Sequence, residues 1–306
     1  MHTSIHVFFF PQEEDFIIDL IQVLVKAFLS ATDSTAADSC SFSMQEIIRA
    51  YKIKESSRLW KRLEEHSREI LLPLFTSHYT VKEENVSGFP SPIYQSSPDQ
   101  NFSHWISQWS AHLMTKIEDK AIHAIFYACK PVIKKDSSCA QFLLPYILNH
   151  VICQGREKDV NEIIVETEAV VGGHENVAQA ACNLNGTILP SADLSSNQHS
   201  VAQDLSWMAK QTIFAVLDHM NKWLLNKYLV LSKQKDDDPF RDQEYMAIQS
   251  FVKRIKQHNL ASASFDCRAY ARSLMHLEAH IRQNPKDLEF CMTKLQQVNI
   301  FLLTKT

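Results

Sequence analysis

The chain has 306 residues, 45% of them hydrophobic, enough for one large or two medium domains with proper cores. Its 5 glycines argue against sheet-rich folds and against the glycine loops with which nucleotide-binding enzymes approach phosphates. A net charge of -4 and a pI near 6.4 give no electrostatic footprint for nucleic acid.

The opening stretch MHTSIHVFFFPQEEDFIIDLIQVLVKAFLS has no basic leader and is interrupted by Glu13, Glu14 and Asp15. It is read as neither a signal peptide nor a transmembrane helix. Phe16, Ile17, Leu20, Ile21, Leu24 and Phe28 recur at helical spacing after Pro11, and the Ser/Thr/Asp-rich residues 30–41 are expected to end that helix. MQEIIRAYK predicts a short helix, and SSRLWKRLEEHSREILLPLF a single longer one, capped at Ser56 or Ser57 and ending near Pro73. Residues 78–101 carry Gly88, Pro90, Pro92 and Pro98 among serines and are expected to be a mobile loop. Within it, Ser91-Pro92 and Ser97-Pro98 fit the pattern of proline-directed phosphorylation.

Helical spacing returns through Trp105, Trp109, Leu113 and Ile117, with Pro131 as a bend or stop. Leu143, Leu144, Ile147 and Val151 predict the next helix, with Pro145 in its first turns and Gly155 as its terminator. Val160, Ile163, Ile164, Thr167 and Val171 add another before Gly172-Gly173. Residues 172–200 are small and polar and are expected to be a mobile loop. The strongest helix runs through Leu205, Met208, Ile213, Val216, Leu217, Met220, Leu224 and Tyr228. A charged linker near 232–242 and the helix YMAIQSFVKRIKQ follow. Cys267, Tyr270, Ala271, Leu274, Leu277 and Ile281 form an apolar stripe, and Asn284-Pro285-Lys286-Asp287 has the chemistry of a helix start. Leu288, Cys291, Met292, Leu295, Val298 and Leu302 then predict a second helix, so the end of the sequence reads as an αα-hairpin. No strand pattern occurs, and the expected fold is all-α: an irregular α-solenoid of antiparallel helix pairs.

Chemistry is sparse. There is no GxGxxG, no GxxxxGK[ST], and no kinase catalytic loop. The seven cysteines, at 40, 129, 139, 153, 182, 267 and 291, form no CxxC pair and are read as reduced thiols. His276 and His280 have the i, i+4 spacing of a metal pair but lack the accompanying glutamate, so packing is the favoured reading. Trp105 and Trp109 are read as core rather than as a base-stacking platform, because basic neighbours are few. No residue is therefore assigned as catalytic, cofactor-binding or metal-binding.

The blocks SSRLWKRLEEHSREILLPLFTSHYT, NFSHWISQWSAHLMTKI, FLLPYILNHVICQG, DLSWMAKQTIFAVLDHMNKWLLNKY and NLASASFDCRAYARSLMHLEAHI occur in that order. Together they resemble the middle of the ATR-type checkpoint kinases, a branch of the phosphatidylinositol-3-kinase-related protein kinase family. The resemblance implies a HEAT-type solenoid over residues 1–255 and, from 258 to 306, the first and incomplete hairpin of a FAT domain built of TPR-like pairs. It implies a non-catalytic scaffold of a nuclear serine/threonine kinase that responds to DNA damage and replication stress. ATP and Mg would belong to that kinase's catalytic domain, and none of the family's catalytic motifs has a counterpart here. The implied partners are the FAT and kinase domains of the parent and an ATRIP-type subunit, with no direct nucleic-acid contact and no membrane. The stripe through Leu288, Met292, Leu295 and Leu302 predicts self-association, hence a homodimer. The rival reading is a self-contained α-solenoid adaptor that binds partner helices or peptides.

Overall fold

A computed structural model describes residues 13–81, 88–97, 99–172, 196–233 and 241–285. Among these there are thirteen α-helices and no strand, and no helix is long and apolar enough to cross a membrane. The chain divides into two compact units: Met1–Phe89 with Ile106–Gln154, and Pro90–Trp105 with Gly155–Thr306.

In the first unit, α1 (Glu13–Leu29) and α2 (Ser34–Ala50) form an antiparallel pair. The expected apolar face of α1 is the observed one: Phe16, Ile17, Leu20, Ile21 and Leu24 are all buried. Helix α1 ends at Leu29, where the serine-rich stretch is expected to stop it, but Ser34–Ser41 then form the first turns of α2, begun by Asp33, whose carboxylate accepts from Ala36 N at 2.8 Å. Serines survive inside this buried helix because their hydroxyls find carbonyls: Ser39 Oγ donates to Thr35 O at 2.7 Å, and Ser43 Oγ lies 2.6 Å from Ala128 O and 3.0 Å from Ser39 O.

The single helix expected after Ser57 is broken into α3 (Arg58–Arg62), α4 (Glu65–Leu71) and a 3-10 turn (Leu72–Phe75). Ser57 does cap α3, accepting from Trp60 N at 3.2 Å. Leu63, extended and buried, separates the pieces, and Trp60 packs on Phe75 with centroids 5.2 Å apart. The next expected helix is also divided, into α5 (Phe102–Met114), α6 (Lys120–Ala128) and α7 (Lys130–Ile133). Asp119 starts α6 by accepting from Ala121 N at 2.8 Å and Ile122 N at 3.0 Å. Helix α8 (Ser137–Cys153) holds Pro145 at its middle, not in its first turns, and Gly155 follows with φ +72°, as a left-handed helix stop. Helices α1 and α8 pack together, and α2 packs on α6 and α7. Phe16 anchors this core against Phe126, Phe142 and Tyr146, at 6.3, 6.1 and 4.6 Å between centroids.

The second unit contains α9 (Glu157–Val171), α10 (Ser196–Leu231), α11 (Gln243–Arg254), α12 (Gln257–Asp266) and α13 (Tyr270–Gln283). Helix α10 packs on α9 and α11, and α12 packs on α9 and α13. Leu205, Ile213, Val216, Leu217 and Met220 of the expected stripe are buried, whereas Tyr228 is exposed. Residues 267 and 268 do not open a helix as expected. Cys267–Ala269 is the link of an α12–α13 hairpin, closed by Ala269 N donating to Ser264 O at 2.9 Å, with Arg268 left-handed at φ 59°. Ser273 Oγ donates to Ala261 O at 2.9 Å across this pair, and Leu277 and Ile281 cover Ala261. The second half of the expected terminal hairpin, residues 288–302, lies outside the described residues, as do 173–195 and 234–240 of the expected loops.

Candidate functional site

The most constrained polar arrangement centres on Glu166, in the second unit. Along α9 the residues Ile163, Glu166, Thr167 and Val170 share a buried face. A carboxylate on such a face must find donors. Glu166 Oε2 accepts from Ile93 N at 2.6 Å, and Oε1 accepts from Tyr94 N at 2.8 Å and from Trp105 Nε1 at 2.8 Å. Burial pushes its pKa upward, while the indole and the two backbone N–H groups pull it back, leaving it net raised.

Ile93, Tyr94 and Gln100, all buried, consequently anchor this stretch as a strap and not a free loop. Ile93 and Tyr94 are 2% and 6% exposed. Gln100 closes the strap into a ring: its Oε1 accepts from Gln95 N at 2.7 Å, and its Nε2 donates to Ile93 O at 3.0 Å. Tyr94 meets Trp105 edge-on at 5.9 Å. Trp105 is fully buried, as the core reading expects. A second carboxylate of α9, Glu168, accepts from Lys256 N at 2.8 Å and also bonds Asn259, which ties the start of α12 to α9. Sequence reasoning missed Glu166. The available signal was an acid at helical spacing between Ile163 and Val170 on an otherwise apolar stripe.

The first unit carries a groove of about 730 Å³ between α2 and α6–α7. Phe42, Ala124, Tyr127 and Pro131 give it apolar lining, with lysines 130, 134 and 135 on one side. His123 stacks on Tyr127 at 5.2 Å, and Lys130 Nζ lies 4.9 Å from the same ring.

The thiols at 40, 129 and 139 are free, buried and close enough to influence one another. Burial pushes Cys40 up to about 11 and Cys129 up to about 12, so neither is a nucleophile at neutral pH. His276 and His280 do not act together. His276 Nδ1 bonds Gln257 Oε1 at 2.9 Å, whereas His280 Nδ1 bonds Asn284 Nδ2 at 3.3 Å and packs against His258. No group of three metal-ligating side chains forms among the described residues. Ser91 and Ser97 are both exposed. Gly172 ends α9, and Gly173 lies outside the described residues.

Comparison with known proteins gives this helical chain its context. Residues 89–300 match the family model described as the M-HEAT region of serine/threonine-protein kinase ATR. The chain is 27% identical over 305 residues to serine/threonine-protein kinase ATR of Oryza sativa subsp. indica, an alignment covering 89% of this chain and 11% of that protein. It is 27% identical to the Arabidopsis thaliana ATR, covering 88% of this chain and 11% of the relative. It is 25% identical to protein kinase rad3 of Schizosaccharomyces pombe, covering 87% and 11%. The chain thus spans about a ninth of the length of these relatives. With that family model matched across most of an all-helical chain, the protein belongs to the ATR serine/threonine-protein kinase family, in its M-HEAT region.

Proposed function

We propose that this chain is a non-catalytic scaffold of an ATR-type checkpoint kinase, relaying the position of a long solenoid to the catalytic part. The observation that carries this reading is the M-HEAT match over residues 89–300 on a chain of packed helix pairs. Such pairs move as stiff bodies, since each buries its apolar face against a neighbour. In this reading the working assembly is the parent kinase, with its FAT and kinase domains and an ATRIP-type subunit. It acts in the nucleus in DNA repair and the response to replication stress. ATP and Mg are used by the kinase domain, and this segment makes no direct contact with nucleic acid. Self-association of this chain into a homodimer is part of the same reading.

In this reading the residues from 258 onward begin a FAT domain. The α12–α13 hairpin is compatible with it, while the M-HEAT match running to residue 300 favours counting that hairpin with the solenoid. The groove beside Tyr127 favours the adaptor reading to the extent that it accepts a peptide.

The pure chain, given Mg·ATP and a peptide substrate, is expected to transfer no phosphate, and incorporation would overturn the scaffold reading. In the full-length kinase, Glu166→Ala is expected to weaken signalling after replication stress while the purified variant keeps its basal activity on a peptide substrate. Undiminished signalling, with the strap shown by proteolysis to be released, would overturn the relay.

A further inference from the structure

We propose that the strap is a phosphorylation-released latch, with Ser97 the acceptor of a proline-directed serine/threonine kinase. Three observations converge on it. Ser97 is exposed and is followed in sequence by Pro98. Its carbonyl is a member of the ring, accepting from Gln100 N at 3.2 Å. The same ring presents the Ile93 and Tyr94 N–H groups to the buried carboxylate of Glu166. The second Ser-Pro pair, at Ser91, lies on the other side of those two N–H groups, so the clamp is flanked by the motif.

In the transfer, the γ-phosphoryl group of ATP forms a bond to Ser97 Oγ as its bond to the β–γ bridging oxygen breaks. ADP leaves, and the hydroxyl proton passes to the modifying kinase's general base. The product carries about −1.5 to −2 charges on a short ring whose neighbours include Asp99 and whose anchor is a carboxylate. Glu166 is buried, so a new charge on its ring is screened from it less than two exposed charges are from each other. Phosphorylation therefore favours release of Ile93 and Tyr94 from Glu166 and exposure of the Trp105 indole. The inference concerns control of the strap and does not depend on the scaffold reading.

The test uses the whole chain and a proline-directed kinase chosen because it phosphorylates the free peptide of residues 91–103. Mass spectrometry is expected to map phosphate to Ser97 and to lose that signal in Ser97→Ala. Hydrogen exchange at the Ile93 and Tyr94 amides is expected to quicken by about tenfold or more once Ser97 is modified. Failure of the folded chain to accept phosphate at Ser97 overturns the proposal. So does phosphate at Ser97 with unchanged exchange at those two amides, which would make it a surface mark and no latch.

Discussion

Glu166 shows how one side chain decides the course of a dozen residues. Its two oxygens hold three N–H groups that have no water to turn to: two from the strap and one from the indole of Trp105. Glu166→Ala strands these donors, and a loss of about 3 kcal/mol or more in unfolding free energy is expected. Glu166→Gln keeps the shape but turns an NH2 toward a backbone N–H, which costs about 1–3 kcal/mol. Urea titration followed by tryptophan fluorescence reads both, because Trp105 is fully buried in the native state. The raised pKa fixes a second sign. An acid that binds its proton more tightly when folded gives stability that is fully present below the ordinary carboxylate range. That stability is lost as pH rises through the raised value. The stability gap between the native chain and Glu166→Gln is therefore expected to narrow with rising pH across that window, and a widening gap would refute the assignment.

Helix beginnings dominate at the scale of elements. Asp33, Ser57, Asp119, Asp136 and Asp242 each accept a backbone N–H at the start of a helix. Asp119 matters most for the path of the chain, because it divides what apolar spacing alone reads as one helix from Trp105 onward. Asp119→Ala is expected to cost about 1 kcal/mol and Asp119→Asn much less, as measured by the shift of the urea midpoint. Equal losses for the two variants would mean that charge, and not capping, is what the helix needs. The same contrast explains what the sequence discloses. Long stripes such as Phe16 to Leu24, or Leu205 to Met220, are legible because burial on one helix face demands that period. Ser34–Ser43 is not, because serine signals turns until its hydroxyl is seen bonding back to the carbonyl one turn earlier. Leu63 and the Cys267–Ala269 link likewise break helices by tertiary burial and by a left-handed arginine, neither of which local propensity encodes. Glu166 is hidden for a related reason: its partners lie 61 to 73 residues away.

At the scale of the whole molecule, the pH dependence of stability is a sum of opposed titrations, one set in each unit. In the first unit His150 is buried edge-on to Phe126 at 5.7 Å, and burial pushes its pKa down from 6.5 to about 4. In the second unit His276 lies over Phe214, and burial together with the nearby Arg272 pushes it down to about 4 as well. An unfolded chain takes up these protons near 6.5, whereas the native state resists until about 4. Stability is therefore complete above about 6.5 and is lost progressively as pH falls toward 4, at about 1.4 kcal/mol per pH unit for a fully buried imidazole. The half-buried His276 contributes less than His150, because solvent screens it. Glu166 acts in the opposite sense within the second unit, gaining stability as pH falls, so the two effects partly cancel there. His219, in the same unit, is pushed down by burial as well, so acid loss there comes from two imidazoles set against one carboxylate. Urea midpoints measured across this range are expected to fall with pH, and His150→Gln, which cannot take up that proton, is expected to flatten the fall. If the variant kept the native slope, the acid sensitivity would have to arise elsewhere, and the buried imidazole would be only a packing element of α8.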